Sequence, residues 1–203
     1  LLLAIVYFLA WKLVGRLDET QKKLKHIAVT DELTGLKNRR HIMEQMNKEY
    51  QRVVRTGGTL SLSLLDIDNF KDVNDQQGHA MGDTVLRTIV LTMQNNVRST
   101  DTVARLGGDE FVVLFPETGA EAAEHIVREI HGKINAVMRE NGWPVTSSIG
   151  VVTCTHAPGR SVDMIQMAEK LMYAAKGSGK NTVKAEVLTD SSGGFDRIHD
   201  TVD

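Results

Sequence analysis

Apolar residues recur along this chain at two spacings, and the switches between them predict its elements. In Leu60-Ser61-Leu62-Ser63-Leu64-Leu65-Asp66-Ile67-Asp68, leucine alternates with serine before the run turns apolar, which predicts a half-buried strand over about 60–66. Thr102–Leu106 and Phe111–Phe115 are two further apolar runs, joined by a two-glycine turn at Gly107-Gly108. The runs over about 145–154 and 182–187 predict two more strands. Helical spacing appears between these strands. Ile42, Met43, Met46, Tyr50, Val53 and Val54 share one broad face of a helix over about 38–55, which Gly57-Gly58 ends. Val85, Leu86, Ile89, Val90 and Met93 mark a helix over about 83–96, preceded by a polar loop that reaches Gly82. Ala122, Ala123, Ile126, Val127, Ile130, Ile134 and Val137 mark another over about 119–140, and a last helix spans about 162–175. The order is helix, strand, helix, hairpin, helix, strand, helix, strand. It indicates an α+β sandwich with helices packed on a mainly antiparallel central sheet.

The pattern also divides the chain. Residues 1–14 are almost wholly apolar, Lys12 excepted, and read as the C-terminal part of a truncated transmembrane helix, since fourteen residues fall short of the ~20 that span a bilayer. Arg16, Lys22, Lys23 and Lys25 follow it, so the positive-inside rule puts the remainder in the cytoplasm, at the inner (cytoplasmic) membrane. Residues 15–30 read as a helical linker, 31–187 as one folded domain, and 188–203 as a polar, flexible tail. At 203 residues, 41% hydrophobic and 25% charged, the chain can bury one ordinary core. A net charge of -2 argues against nucleic acid as a partner, which wants a basic face. The single cysteine, Cys154, excludes an internal disulfide and lies in a strand pattern, where a passive thiol is expected.

Chemistry enters at two strand ends. Asp66 closes one apolar run, and Asp109-Glu110 opens another. An unpaired charge beside such runs is costly to desolvate, so carboxylates there want partners. If the two ends meet in a sheet they would hold a divalent cation, and a hard cation with oxygen ligands implies phosphate chemistry. Lys176-Gly177-Ser178-Gly179-Lys180-Asn181 is not a P-loop, because Asn181 follows the lysine and the segment comes after a helix.

Four blocks in order then resemble one family, the diguanylate cyclases named for a Gly-Gly-Asp-Glu-Phe signature. They are Asp31-Glu32-Leu33-Thr34-Gly35-Leu36-Lys37-Asn38-Arg39-Arg40; Asp66-Ile67-Asp68-Asn69-Phe70-Lys71 with Asn74-Asp75, Gly78-His79 and Gly82-Asp83; Arg105 to Phe111, which contains the unbroken signature; and Lys176 to Asn181. The resemblance implies a fold like the nucleotide cyclase core and the polymerase palm. It also implies condensation of two GTP into cyclic di-GMP with release of two pyrophosphates, at the interface of a homodimer. By the same resemblance, Asp66, the carbonyl of Ile67, Asp109 and Glu110 hold Mg²⁺ (or Mn²⁺). Asp109, Glu110 and Lys71 are catalytic. Asn74 and Asp83 read guanine, His79 contacts the nucleotide, Gly107 and Gly108 let the hairpin approach it, and Lys176 and Lys180 contact phosphate. Lys180 stands where the family often has arginine, which keeps the charge without the bidentate fork. Arg98 and Asp101 match an inhibitory site for the product, with Arg128 as a second contact. Asp68 reads as structural, and Arg39-Arg40 as a solvated helix start. Two other readings stand beside the enzyme: an inactive receptor for cyclic di-GMP, and a GTP-binding regulatory module.

Overall fold

The computed structural model describes Lys12, residues 29–155 and residues 160–188. Within them the apolar runs become strands and the spaced apolar residues become helices. In chain order these are β1 (Lys37–Asn38), α1 (Arg39–Thr56), β2 (Leu60–Asp68), α2 (Phe70–Gln77), α3 (His79–Gln94), β3 (Thr102–Gly107), β4 (Glu110–Pro116), α4 (Ala120–Glu140), β5 (Thr146–Cys154), α5 (Ser161–Gly177) and β6 (Val183–Leu188). The strands form one sheet in the order β1-β3-β4-β2-β5-β6. Its centre is antiparallel, through β3 with β4, β4 with β2, and β2 with β5. Only the outer pairs, β1 with β3 and β5 with β6, run parallel. The expected mainly antiparallel sheet flanked by helices is what the chain forms.

Both faces of the sheet are covered. Leu60, Leu62 and Leu64 of β2 join Val112, Leu114 and Val152 against Ile42, Met46 and Tyr50 of α1 and Met164, Ala168 and Met172 of α5. Leu65 and Ile67 point the other way and join Phe111, Val113, Phe115, Ile149 and Val151 against α3 and α4. This alternation is the strand's period of two, read on opposite faces. β2 is therefore buried along its whole length, not half-buried as its serines suggest. Ser61 is accommodated because its hydroxyl donates to the Thr118 carbonyl at 2.7 Å and lies 2.7 Å from Thr153 Oγ1, which replaces the water it would otherwise require.

The segment expected as a polar loop before residue 83 holds a helix, α2, and the start of α3. Val73 is the one residue of α2 buried, so no apolar periodicity betrays it. Asn69 (φ 61°) and Gly78 (φ 82°) adopt positive φ and turn the chain into α2 and out of it. Asn38 caps α1 by accepting from the His41 N–H at 3.1 Å.

The expected membrane location is corrected. Among the described residues no helix is long and apolar enough to cross a bilayer. Even the 21-residue α4 is amphipathic, with Ala123, Val127, Ile130, Ile134 and Met138 buried and charged residues on its other face. Apart from Lys12, the apolar segment 1–14 lies outside the described residues, as does the tail after Leu188; of the linker 15–30, only Val29 and Thr30 are described.

Candidate active site at the end of the central strands

Strand pairing brings the two acidic strand ends together. Asp66 of β2 lies opposite Glu110 of β4 in the antiparallel register. The Ile67 N–H reaches across to the Asp109 carbonyl at 3.3 Å. The β3–β4 turn that carries Asp109 is tight because Gly107 (φ 147°) and Gly108 (φ 53°) take backbone conformations that side chains resist. Nothing would touch a Cβ at either glycine, so conformation, not crowding, accounts for them here. Arg105 pins this turn. Its Nε and Nη2 donate to the Gly108 carbonyl at 3.0 and 2.6 Å, and its Nη1 lies 3.0 Å from Asp31 Oδ1. Thr34 also donates to Asp31 through its N–H and its hydroxyl, at 2.9 and 2.6 Å. Burial pushes the Asp31 carboxyl up, but these hydrogen bonds and the guanidinium outweigh it and hold the group below its ordinary value.

Asp66 is only 7% exposed. Its one ion-pair partner among the described residues is Lys176 of α5, whose Nζ lies 2.8 Å from Oδ1. The same ammonium sits 5.7 Å from the centre of the Tyr173 ring, within cation–π reach. Burial raises the Asp66 carboxyl above its ordinary value; Lys176 opposes this, while the negative charges of Asp109 and Glu110 add to it. Burial pulls Lys176 down, yet the hydrogen bond and charge of Asp66 more than compensate, so its proton is held more tightly than usual.

Asp66, Asp109 and Lys176 line one open cleft of about 300 Å³, together with Ile67, Asn69, Phe70, Lys71 and Lys180. Lys180 Nζ rests on Asn69 Oδ1 at 2.7 Å. Asp68 borders the cleft but works as a tie. It accepts from Thr146 Oγ1 (2.7 Å), Ser148 Oγ (2.8 Å) and the Asn181 N–H (3.0 Å), which binds the end of β2 to β5 and to the turn after α5.

The other expected contacts, Asn74, His79 and Asp83, lie on α2 and α3 and do not line this cleft. Asn74 of α2 and Gly82 of α3 pack so closely that a Cβ at residue 82 would stand 2.1 Å from Asn74 Oδ1. Asp83 follows on α3, partly buried, and His79 is exposed at that helix's first residue. Reading the sequence placed Asn69, Phe70 and Asn181 in motifs without giving them a role, and passed over the tie between Arg105 and Asp31. Asn69 carried a signal, since asparagine after a strand tolerates a left-handed turn; the Arg105–Asp31 pair, 74 residues apart, carried none.

The donor set suits a hard divalent cation. Among the described residues no three acidic, histidine or cysteine side chains converge as a ready-made metal cluster. Magnesium does not need one, since it is usually held by one or two carboxylates plus substrate phosphates and water. Asp66, crowded by two further negative charges and at present balanced by one ammonium, is a carboxylate of that kind.

Arg98 and Asp101 lie elsewhere. They precede β3, whose first residue Thr102 stands level with Leu114 and Leu62, while its last, Gly107, stands level with Glu110. Five residue steps of strand separate the two ends, roughly 17 Å. The Arg98 N–H donates to Asp101 Oδ2 at 2.8 Å, and the two residues border a second cleft of about 540 Å³ with Gly35, Leu36 and Lys37. Arg128 pairs with Glu124 on its own helix, Nη2 to Oε1 at 2.6 Å.

Residues 28–182 match the family described as "Diguanylate cyclase, GGDEF domain". The chain is 37% identical over 180 residues to the response regulator PleD of Caulobacter vibrioides, covering 82% of this chain and 38% of that protein. It is 37% identical over 170 residues to the diguanylate cyclase DgcP of Pseudomonas aeruginosa, covering 82% of this chain and 24% of that protein. The chain thus spans well under half the length of these relatives. The crystal structure of the coiled coil and GGDEF domain of DgcB from Caulobacter crescentus, in complex with c-di-GMP, superposes with a TM-score of 0.80 at 28% identity, covering 87% of this chain and 95% of that one.

Proposed function

This chain belongs to the diguanylate cyclase GGDEF-domain family, and from that premise we propose that it condenses two GTP into cyclic di-GMP, with residues 31–187 as the catalytic domain. The observation that supports this reading best is the cleft at one end of the central strands, where the carboxylates of Asp66 and Asp109 meet Lys71, Lys176 and Lys180. In the reaction the 3′-oxygen of one GTP bonds to the α-phosphorus of the other, the α–β phosphoanhydride breaks, and pyrophosphate leaves. A second, reciprocal attack closes the ring. Asp66, the Ile67 carbonyl and Asp109 would hold Mg²⁺, with Glu110 behind them. Bound there, the cation supplies activation of the attacking hydroxyl and neutralisation of charge on the leaving group. Lys176 is tied to Asp66 in this structure and is in reach of any phosphate that enters the cleft. Lys71 and Lys180 border the same space and add positive charge along it. Asn74 supplies a donor and an acceptor, and Asp83 accepts from the N1 and N2 hydrogens of guanine, which excludes adenine. His79 contacts the nucleotide from the start of α3.

In this reading each domain binds one GTP in a half-site, so the reaction requires two copies facing each other about a two-fold axis. Arg98 and Asp101 would bind the product and inhibit, through guanidinium on guanine and phosphate and carboxylate on the guanine edge. The deciding experiment incubates the purified chain, fused to a dimerising helix, with GTP and Mg²⁺ and identifies the product by mass spectrometry. Cyclic di-GMP is the expected product. Its absence, with calorimetric binding of cyclic di-GMP retained, would replace the enzyme with a receptor. Asp109→Asn is expected to remove turnover while leaving the circular dichroism spectrum and unfolding midpoint in place.

A further inference from the structure

The turn that carries Lys180 is held in a conformation that a lysine resists. Gly179, Lys180 and Asn181 take φ values of 109°, 64° and 49°, and two of the three have side chains. Lys180 in that region costs of order 1 kcal/mol, while asparagine tolerates it, and contacts from outside help to retain the turn. Two come from its surroundings in sequence and site: the Lys180 N–H on the Ala175 carbonyl at 3.1 Å, and the Asn181 N–H on Asp68 Oδ2 at 3.0 Å. The Lys180 ammonium also rests on Asn69 Oδ1 at 2.7 Å, and a further contact comes from α4, a helix that contributes no residue to the cleft. Asn135 Nδ2 donates to Asn181 Oδ1 at 2.7 Å. One turn earlier on α4, His131 Nε2 lies 3.2 Å from Asn135 Nδ2 and 3.1 Å from the carbonyl of Ser147 on β5. The bond between Asn135 and Asn181 survives reversal of both amides, because each carries a donor and an acceptor.

Asn135 is satisfied at one end only: its Nδ2 reaches both Asn181 and His131. Its Oδ1 is buried without a hydrogen-bond partner, as is Ser147 Oγ. A buried acceptor left unpaired costs about 1–3 kcal/mol, a penalty that an apolar side chain of the same size would avoid. A polar group kept at such a cost calls for an explanation in what its other end does.

We propose that Asn135 is a positioning residue, which grips Asn181 from α4 and thereby sets Lys180 at the phosphate side of the cleft. The role assigned to Lys180 rests on the cyclase reading above; the grip itself does not. The informative variant is Asn135→Leu, which keeps the branched shape and removes both the grip and the unpaired oxygen. Three measurements on the full chain decide the matter. The unfolding midpoint of the variant is expected within about 3 °C of the parent, because the bonds lost from Nδ2 are offset by removal of the unpaired oxygen, whereas a residue with a merely structural role would lower it further. Amide hydrogen exchange at Lys180 and Asn181 is expected to accelerate. KM for GTP is expected to rise about fivefold with kcat within about twofold, the loss of one hydrogen bond's worth of binding. Adding Asn135→Leu to Lys180→Ala should raise KM no further than Lys180→Ala alone, because the two act through one contact. Unchanged exchange at the turn overturns the proposal whatever the kinetics show. So does a KM that rises independently in the double variant. Faster exchange in a chain whose parent makes no cyclic di-GMP supports the grip and overturns the cyclase reading.

Discussion

A carboxylate that is 7% exposed at the end of an apolar strand needs a partner, and in this structure Lys176 is that partner. Burial, with the charges of Asp109 and Glu110 added to it, keeps the Asp66 carboxyl above its ordinary value in spite of Lys176. Asp31 is the opposite case. Its carboxylate is satisfied by Thr34 and by Arg105, and it lies below its ordinary value in the folded chain. A depressed carboxyl contributes stability that is fully present above its unfolded value, about 4, and is lost as pH falls through the lower folded value. Arg105→Ala is therefore expected to lower stability by about 1–2 kcal/mol at pH 7. The gap between variant and parent should narrow as pH drops below about 4, which urea unfolding at a series of pH values would check. A gap that stays constant down to about pH 2 would show that Arg105 acts through the Gly108 carbonyl alone. At this scale the sequence was informative wherever a charge sat beside an apolar run, as at Asp66 and Asp109. It was silent on Arg105 with Asp31, because a contact between residues 74 apart leaves no local trace.

Among the elements, β5 and α5 depend on one missing side chain. A Cβ at Gly150 would stand 2.1 Å from the Ala168 carbonyl and 2.7 Å from the Met172 nitrogen. Both are backbone atoms and cannot swing aside, so α5 would have to lift from the sheet. Gly150→Ala is expected to cost about 3 kcal/mol or more, at the upper end for overpacking, and to lower the denaturant midpoint with little change in slope. Because α5 carries Lys176, a variant that still folds should also lose affinity for GTP. The comparable approach between α2 and α3 involves a side chain. There, Gly82→Ala would displace Asn74, which stands in the way of the new methyl, and the expected effect is a raised KM for GTP more than a large loss of stability. Long elements with a wet face and a dry face, such as α1 and α4, were legible within a residue or two. α2 was not, because a short polar helix with one buried position makes no period.

For the molecule as a whole, the proposed half-site has a consequence for the kinetics. If catalysis requires two copies, activity per chain rises with protein concentration until the dimer saturates, and fusion to a dimerising helix removes that dependence. Specific activity that is constant across a roughly hundredfold dilution of the unfused chain would argue for a cleft complete in one copy. Arg98 and Asp101 lie at the opposite end of β3 from the hairpin turn, so inhibition through them cannot be simple competition at Asp66. Arg98→Ala is expected to raise the product concentration for half-inhibition about tenfold, the loss of one charge-assisted contact. An unchanged inhibition curve would remove the inhibitory role from this pair.

By itself the sequence determined five of the six strands, the amphipathic helices, the family and the acids at two strand ends, and missed β1, a two-residue strand with no apolar run. All that it determined is local: a period of two or of 3.6, a turn that only glycine permits, or a short motif at a set spacing. Tertiary structure alone decided the rest. It buried β2 on both faces, set Asp66 opposite Glu110, brought Lys176 onto Asp66 from a distant helix, and braced the Lys180 turn through Asn135. Those outcomes depend on which elements become neighbours, a property of packing among distant segments that no window of the chain contains.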